Sequence, residues 1–133
     1  MKFIPYLVFQ GKAEEAMKFY EAALGGKITG IQRFGDMPAD APQDAFKNYV
    51  LHGELVAGDL KIYFSDSPNN VAQGENVTIL VDCASEQEVD RLYAALSIDA
   101  EIHMTLQKTF WKAKYANLKD KFGVSWQLNY QFA

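Results

Sequence analysis

His52 and Glu54 stand two residues apart in a stretch whose alternation marks a strand, so an imidazole and a carboxylate share one face. Such a pair can act as a general base with a neighbouring charge, or supply two ligands to a metal. The other histidine, His103, lies between Ile102 and Met104 on a separate strand-like run. His52, Glu54 and His103 could together form a substitute metal site. Equally, His52 and Glu54 could be an ordinary solvated strand face, with His103 a lone exposed imidazole.

Other chemistry finds less support. Cys83, the single cysteine, ends an apolar run beside Asp82. A nucleophilic thiol needs a cationic neighbour that lowers its pKa, and this position reads as a half-buried structural thiol. Gly-x-Ser-x-Gly, Gly-x-Gly-x-x-Gly, Walker and Cys-x-x-Cys motifs are all missing from the sequence. A methyltransferase cofactor calls for a strand, a glycine-rich loop and a helix in that order. Gly25-Gly26 follows a helix instead of opening one.

In the final apolar stretch Val124, Trp126, Leu128 and Tyr130 alternate with Ser125, Gln127 and Asn129. The apolar set should pack on a helix, which turns Ser125, Gln127 and Asn129 to the opposite face. Lys61 and Tyr63 should face the same way from an equivalent strand. Trp111, Phe110 and Tyr49 could wall a binding site with aromatic surface, or be ordinary core.

The elements that must position these groups are legible from periodicity. Phe3 to Phe9 reads as a strand. Ala13, Ala16, Met17, Tyr20, Ala23 and Leu24 recur at helical spacing, and Gly25-Gly26 stops the helix. Lys27 to Phe34 reads as a second strand and 35–46, with Pro38 and Pro42, as a long loop expected to be mobile. Asn48 to Val56 and Leu60 to Phe64 form a hairpin around Gly58. After a polar link at 67–74 the order restarts. Val77 to Val81 is a strand, and Ser85 with Glu88 offers a capping box to a helix carrying Val89, Leu92, Tyr93 and Leu96. Ile102 to Leu106 is a strand. Lys112 to Leu118 and Val124 to Tyr130 form a hairpin turning at Asp120 to Gly123.

The restart is an internal repeat. Tyr6-Leu7-Val8-Phe9 through Ala22-Ala23-Leu24 overlies Thr78-Ile79-Leu80-Val81 through Ala94-Ala95-Leu96 at a constant offset of 72 residues. Gly58 matches Gly123 at an offset of 65, so the second copy has shorter loops. The fold class is therefore α+β, one domain over 1–133 made of two βαβββ modules, 1–66 and 75–133. One such module leaves a sheet face bare. Two can curl their bare faces into a shared cleft, a common ligand site.

Composition bounds the partners. The 133 residues carry a formal net charge of −4, with 49% hydrophobic residues, and the pI is about 5.1. An acidic chain suits neither nucleic acid nor an anionic membrane. No apolar run approaches the roughly 18 residues of a membrane helix, and a single cysteine suits a reducing compartment. The cytoplasm is the expected location.

Pro5-Tyr6-Leu7-Val8-Phe9-Gln10-Gly11 running into Glu15-Ala16-Met17-Lys18-Phe19-Tyr20, then Arg33-Phe34-Gly35-Asp36, Leu106-Gln107-Lys108-Thr109-Phe110-Trp111 and Asp120 to Trp126, resemble the vicinal-oxygen-chelate (glyoxalase/bleomycin-resistance) superfamily. The resemblance is to its PhnB-like branch, some of whose members carry the label 3-demethylubiquinone methyltransferase. It implies a glyoxalase-like pairing of mixed sheets and a homodimer. In metal-using members each half supplies His or Glu from its first and last strands. The matching positions here are Pro5, Asn76, Ile62 or Tyr63, and Gln127, which are poor ligands or none. The resemblance thus implies a protein without the usual metal and without a cofactor.

Three readings follow. The preferred one is a metal-free small-molecule binder whose ligand meets His52, Glu54, Tyr63, Asn76, Trp111, Ser125, Gln127 and Asn129. The alternatives are an enzyme of the same superfamily with an atypical or no metal, of lyase, dioxygenase or transferase type, with His52 or Glu54 as base, and a dimeric interaction module without a ligand.

Overall fold

The computed structural model describes residues 1–38 and 44–133 and divides into two compact units, Met1–Ala72 and Gln73–Ala133. The boundary falls inside the stretch 67–74 expected as a link. Each unit runs strand, helix, strand, strand, strand.

In the first unit, β1 (Tyr6–Phe9), α1 (Ala13–Leu24), β2 (Lys27–Arg33), β3 (Val50–Ala57) and β4 (Leu60–Asp66) make a mixed sheet in the order β1-β4-β3-β2. β1 pairs parallel with β4, and the other pairings are antiparallel. β1 is shorter than its apolar run. Pro5 has no N–H for the ladder, although its carbonyl accepts from Tyr63 N at 3.0 Å. α1 buries Ala13, Ala16, Met17, Tyr20 and Ala23 against Val50, Leu55, Ile62 and Phe64. Tyr20 stacks on Phe64 with ring centroids 6.0 Å apart. Gly53 lies under Met17, whose sulfur would come within 2.6 Å of any added Cβ. Gly25 closes the helix at φ 68°, its N–H on the Glu21 carbonyl.

Asp66 ties this unit together. It is buried, and its two carboxylate oxygens accept from Ala13 N and Val50 N, both at 2.9 Å. The expected loop 35–46 holds a 3-10 turn at each end, Phe34–Asp36 and Asp44–Phe46. Its middle, 39–43, lies outside the described residues, so the expectation about its mobility does as well. The Arg33-Phe34-Gly35-Asp36 motif is a junction. The Arg33 guanidinium forks onto Glu14 with two 3.0 Å bonds and also reaches the Asn48 carbonyl. Gly35 donates to the Lys47 carbonyl at 2.8 Å, an approach that a side chain would block.

The second unit repeats the plan with β5 (Ile79–Asp82), α2 (Glu86–Leu96), β6 (Glu101–Lys108), β7 (Ala113–Lys119) and β8 (Ser125–Gln131) in the order β5-β8-β7-β6. The capping residues act as read. Glu88 N donates to Ser85 Oγ at 3.1 Å and Glu88 Oε1 accepts from Ala84 N. Val89, Leu92 and Leu96 pack with Ala116, Leu118, Trp126 and Leu128. β6 runs to Lys108, longer than expected, because its ladder with β7 survives two register shifts. No helix among the described residues is long and apolar enough to cross a membrane.

Candidate functional site

Each sheet has one face covered by its helix and one face without it. In the first unit the register Tyr6↔Tyr63↔Glu54 puts these three on the helix-free face. His52 joins them, two residues from Glu54 on the same strand. Tyr6 Oη lies 3.3 Å from His52 Nδ1. The His52 and Tyr63 rings meet edge to face at 4.7 Å, and Tyr6 stands edge-on to Tyr63 at 6.0 Å. Glu54 accepts from Thr29 Oγ1 at 2.9 Å and lies 3.9 Å from Lys61 Nζ. His52 and Glu54 therefore share a face, but the described contacts bond each to another partner. The imidazole is set by a phenol and the carboxylate is shared between a hydroxyl and an ammonium.

In the second unit the register Tyr115↔Asn129, Asn117↔Gln127 and Lys119↔Ser125 places Ser125, Gln127 and Asn129 together on the helix-free face. Trp126 and Leu128 are buried on the other. Tyr115 donates its hydroxyl proton to Gln127 Oε1, and Gln127 Nε2 donates to Thr78 Oγ1 at 3.1 Å. Asn129 Nδ2 donates to Asp82 Oδ1 at 3.0 Å. Trp111 is 46% exposed and lies edge-on to Tyr115 at 6.0 Å, extending the polar row with an aromatic end. Ser125 is 8% exposed, and its hydroxyl has no hydrogen-bond partner among the described residues. A buried hydroxyl in that state calls for a reason, since most are bonded.

The remaining expected residues are more scattered. Asn76 is exposed ahead of β5 and takes no part in these bonds. Phe110 is 95% exposed. Tyr49 packs against Phe34 and Phe46 and covers Gly11, away from the helix-free row. Cys83 is buried, and burial, with the charges of Glu88 and Asp82, pushes its thiol up to about 11. It is unsuited to nucleophilic work at neutral pH.

Sequence reasoning missed Tyr6, Thr78 and Tyr115 as partners of the expected groups. Tyr115 was findable, because it alternates with Asn117 as Gln127 does with Asn129. His103 belongs to the second unit, while His52 and Glu54 belong to the first. His103 is also not solitary. Its ligand atom and those of Glu75 and Glu101 lie within 4.8 Å of one another, all three residues exposed. Glu101 and His103 show strand alternation, but nothing in the sequence announces Glu75.

The resemblance would place metal ligands at Pro5, Asn76, Ile62 or Tyr63, and Gln127. Ile62 is buried among apolar groups and Tyr63 is in an aromatic cluster. Gln127 spends both ends of its amide on Tyr115 and Thr78. With proline at position 5, this donor set does not fit a divalent transition metal, which prefers imidazole, thiolate or carboxylate.

The comparisons agree with this architecture. The family model described as 3-demethylubiquinone-9 3-methyltransferase matches residues 1–129. Protein YjdN of Escherichia coli is 30% identical, covering 97% of this chain and 95% of that protein. The solved structure of PA1353 from Pseudomonas aeruginosa is 32% identical with a TM-score of 0.88, covering 98% of both chains. A PhnB protein from Bacillus cereus is 31% identical with a TM-score of 0.82, covering 98% of this chain and 99% of that one. FosX, a fosfomycin resistance protein of Listeria monocytogenes complexed with Mn(II) and sulfate, shares the fold at 9% identity. Its TM-score is 0.68, over 99% of this chain and 93% of its own. The chain belongs to the 3-demethylubiquinone-9 3-methyltransferase (PhnB-like) family.

Proposed function

We propose that this protein binds a small, planar, uncharged molecule without a metal ion, using the helix-free sheet faces. The observation that carries the reading is the Tyr115–Gln127–Thr78 row on the helix-free face of the second unit, with Asn129 and Trp111 alongside, while the buried Ser125 hydroxyl behind it has no partner among the described residues. On the first unit's own helix-free face, Tyr6, His52 and Tyr63 present aromatic surface of the kind that holds planar groups. His52, Glu54, Tyr63, Asn76, Trp111, Ser125, Gln127 and Asn129 are the residues assigned to ligand contact. The reading includes a homodimer in the cytoplasm, and a 15 kDa particle in light scattering would contradict the dimer.

Methyl transfer suits the site less well. The turn from β1 into α1 contains a single glycine, Gly11, and a Cβ there would meet Tyr49 Oη at 2.9 Å. Tyr49 fills the space in which a nucleotide cofactor would approach a strand–loop–helix cradle.

An enzymatic reading rests on one contact, Tyr6 Oη beside His52 Nδ1. If the phenol oxygen accepts from Nδ1–H, Nε2 keeps its lone pair and His52 can serve as a general base. Native mass spectrometry of the purified protein tests the main reading. A retained organic molecule whose mass is unchanged after incubation supports binding, and its conversion supports the enzyme.

A further inference from the structure

The Leu106 to Trp111 motif leads into a pocket that the proposed binding faces do not use. Lys108, Thr109, Lys112, Ala113 and Phe132 line a cavity of about 220 Å³ at the end of the β6–β7 hairpin. By register Lys108 lies opposite Lys114, and Lys114 opposite Tyr130. Lys114 bonds Glu86 and Asp90, and Glu86 belongs to α2. That places Lys108 on the helix side of the sheet, away from the Gln127 row.

Two observations point to an anion, and a third fixes the loop that carries Lys112. Neither Lys108 nor Lys112 has a carboxylate partner within salt-bridge distance among the described residues, although the chain is acidic overall. Lys108 Nζ instead stands 5.3 Å over the Phe132 ring, so one cation and one aromatic wall are already assembled. Lys112 is held at φ 62°, a left-handed conformation that favours glycine. Its backbone is clamped, since the Lys112 carbonyl accepts from Phe132 N at 2.9 Å and from Gln131 Nε2 at 3.0 Å. Thr109 N also closes onto the Ala113 carbonyl at 2.8 Å. The turn accounts for this conformation, Lys112 N donating to the Thr109 carbonyl at 3.2 Å, and it holds Lys112 at the rim of the pocket.

We propose that this pocket binds a small organic anion, with a carboxylate or phosphate head between Lys108 and Lys112 and an apolar or aromatic body against Phe132. A pocket of this size suits about one ring and its head, below the roughly 300 Å³ at which drug-sized sites begin.

Benzoate, phenyl phosphate and neutral benzamide are the probes, titrated at low salt while backbone amide NMR shifts are followed at 108–113 and 132. Saturable binding of benzoate or of phenyl phosphate is expected, and the tighter of the two identifies the head group. Lys108→Gln with Lys112→Gln should weaken it by about tenfold or more, the order expected for losing two charge-assisted contacts. Lys27→Gln, an exposed charge change in the other unit, should leave it unchanged. Lys112→Gly should weaken binding while raising the thermal unfolding midpoint, since it relieves the left-handed strain. Equal affinity for benzamide, no saturable shift, or undiminished binding in the double variant would overturn the proposal.

Discussion

The Tyr115 hydroxyl is bonded to the side-chain oxygen of Gln127, and the Gln127 amide nitrogen continues to Thr78 at 3.1 Å. These bonds fix the orientation of an amide at a position where the resemblance would place a metal ligand. Tyr115→Phe should leave the Gln127 oxygen short of a donor and cost about 1 kcal/mol in urea denaturation. It should also lower affinity for the molecule held on that face. A variant with parental stability and binding would remove Gln127 from the site.

Asp120 is the tightest knot of the second unit. Its carboxylate is buried and accepts from Phe122 N at 2.8 Å, Val124 N at 3.1 Å and Trp126 Nε1 at 2.8 Å. Asp120→Ala strands an indole and two turn amides and should cost about 3 kcal/mol or more. Trp126→Phe removes only one of these bonds and some apolar volume, and should cost less. Denaturation followed by tryptophan fluorescence in Asp120→Ala, and by circular dichroism in both variants, checks the order.

The Cys83 thiol should resist modification in the folded state. Its pKa of about 11 leaves almost no thiolate at neutral pH, and the group is buried. Reaction with a disulfide reagent at pH 7 should be slow and should accelerate sharply in urea. Fast labelling of the native protein would mean that the thiol is exposed or activated.

Glu14 gives a pH dependence with a defined sign. The Arg33 guanidinium, bonded to both its oxygens, holds the carboxyl below the usual range. A lowered folded pKa means stability present above the unfolded value, near 4.3 for glutamate, and lost as pH falls through the folded value. Glu14→Gln should therefore lower the urea midpoint at pH 7, and the difference from the parent should shrink on acidification. A difference that stays constant with pH would place the effect in packing.

The elements were legible because their signals were redundant. α1 has its apolar stripe and its Gly25 stop, and α2 has the Ser85–Glu88 cap, so periodicity and boundary chemistry agreed. Strand ends were less legible. β1 loses its first residues because pairing with β4 decides its start, and pairing is not local information. Alternation assigned Ser125, Gln127 and Asn129 to one face, since the period of two leaves no other choice. It could not reveal that Gln127 would reach Thr78, or that Glu75 would approach His103, because those partners lie far away in sequence.

The most direct test of the central claim, small-molecule binding without a metal, combines elemental analysis with binding before and after EDTA. The protein is purified without chelator, and its molecule is detected by native mass spectrometry. The account predicts substoichiometric transition metal, the same retained molecule after EDTA, and reduced retention in Ser125→Ala and Gln127→Ala. One tightly held metal per chain, or a molecule lost with EDTA and regained on adding metal back, would contradict it.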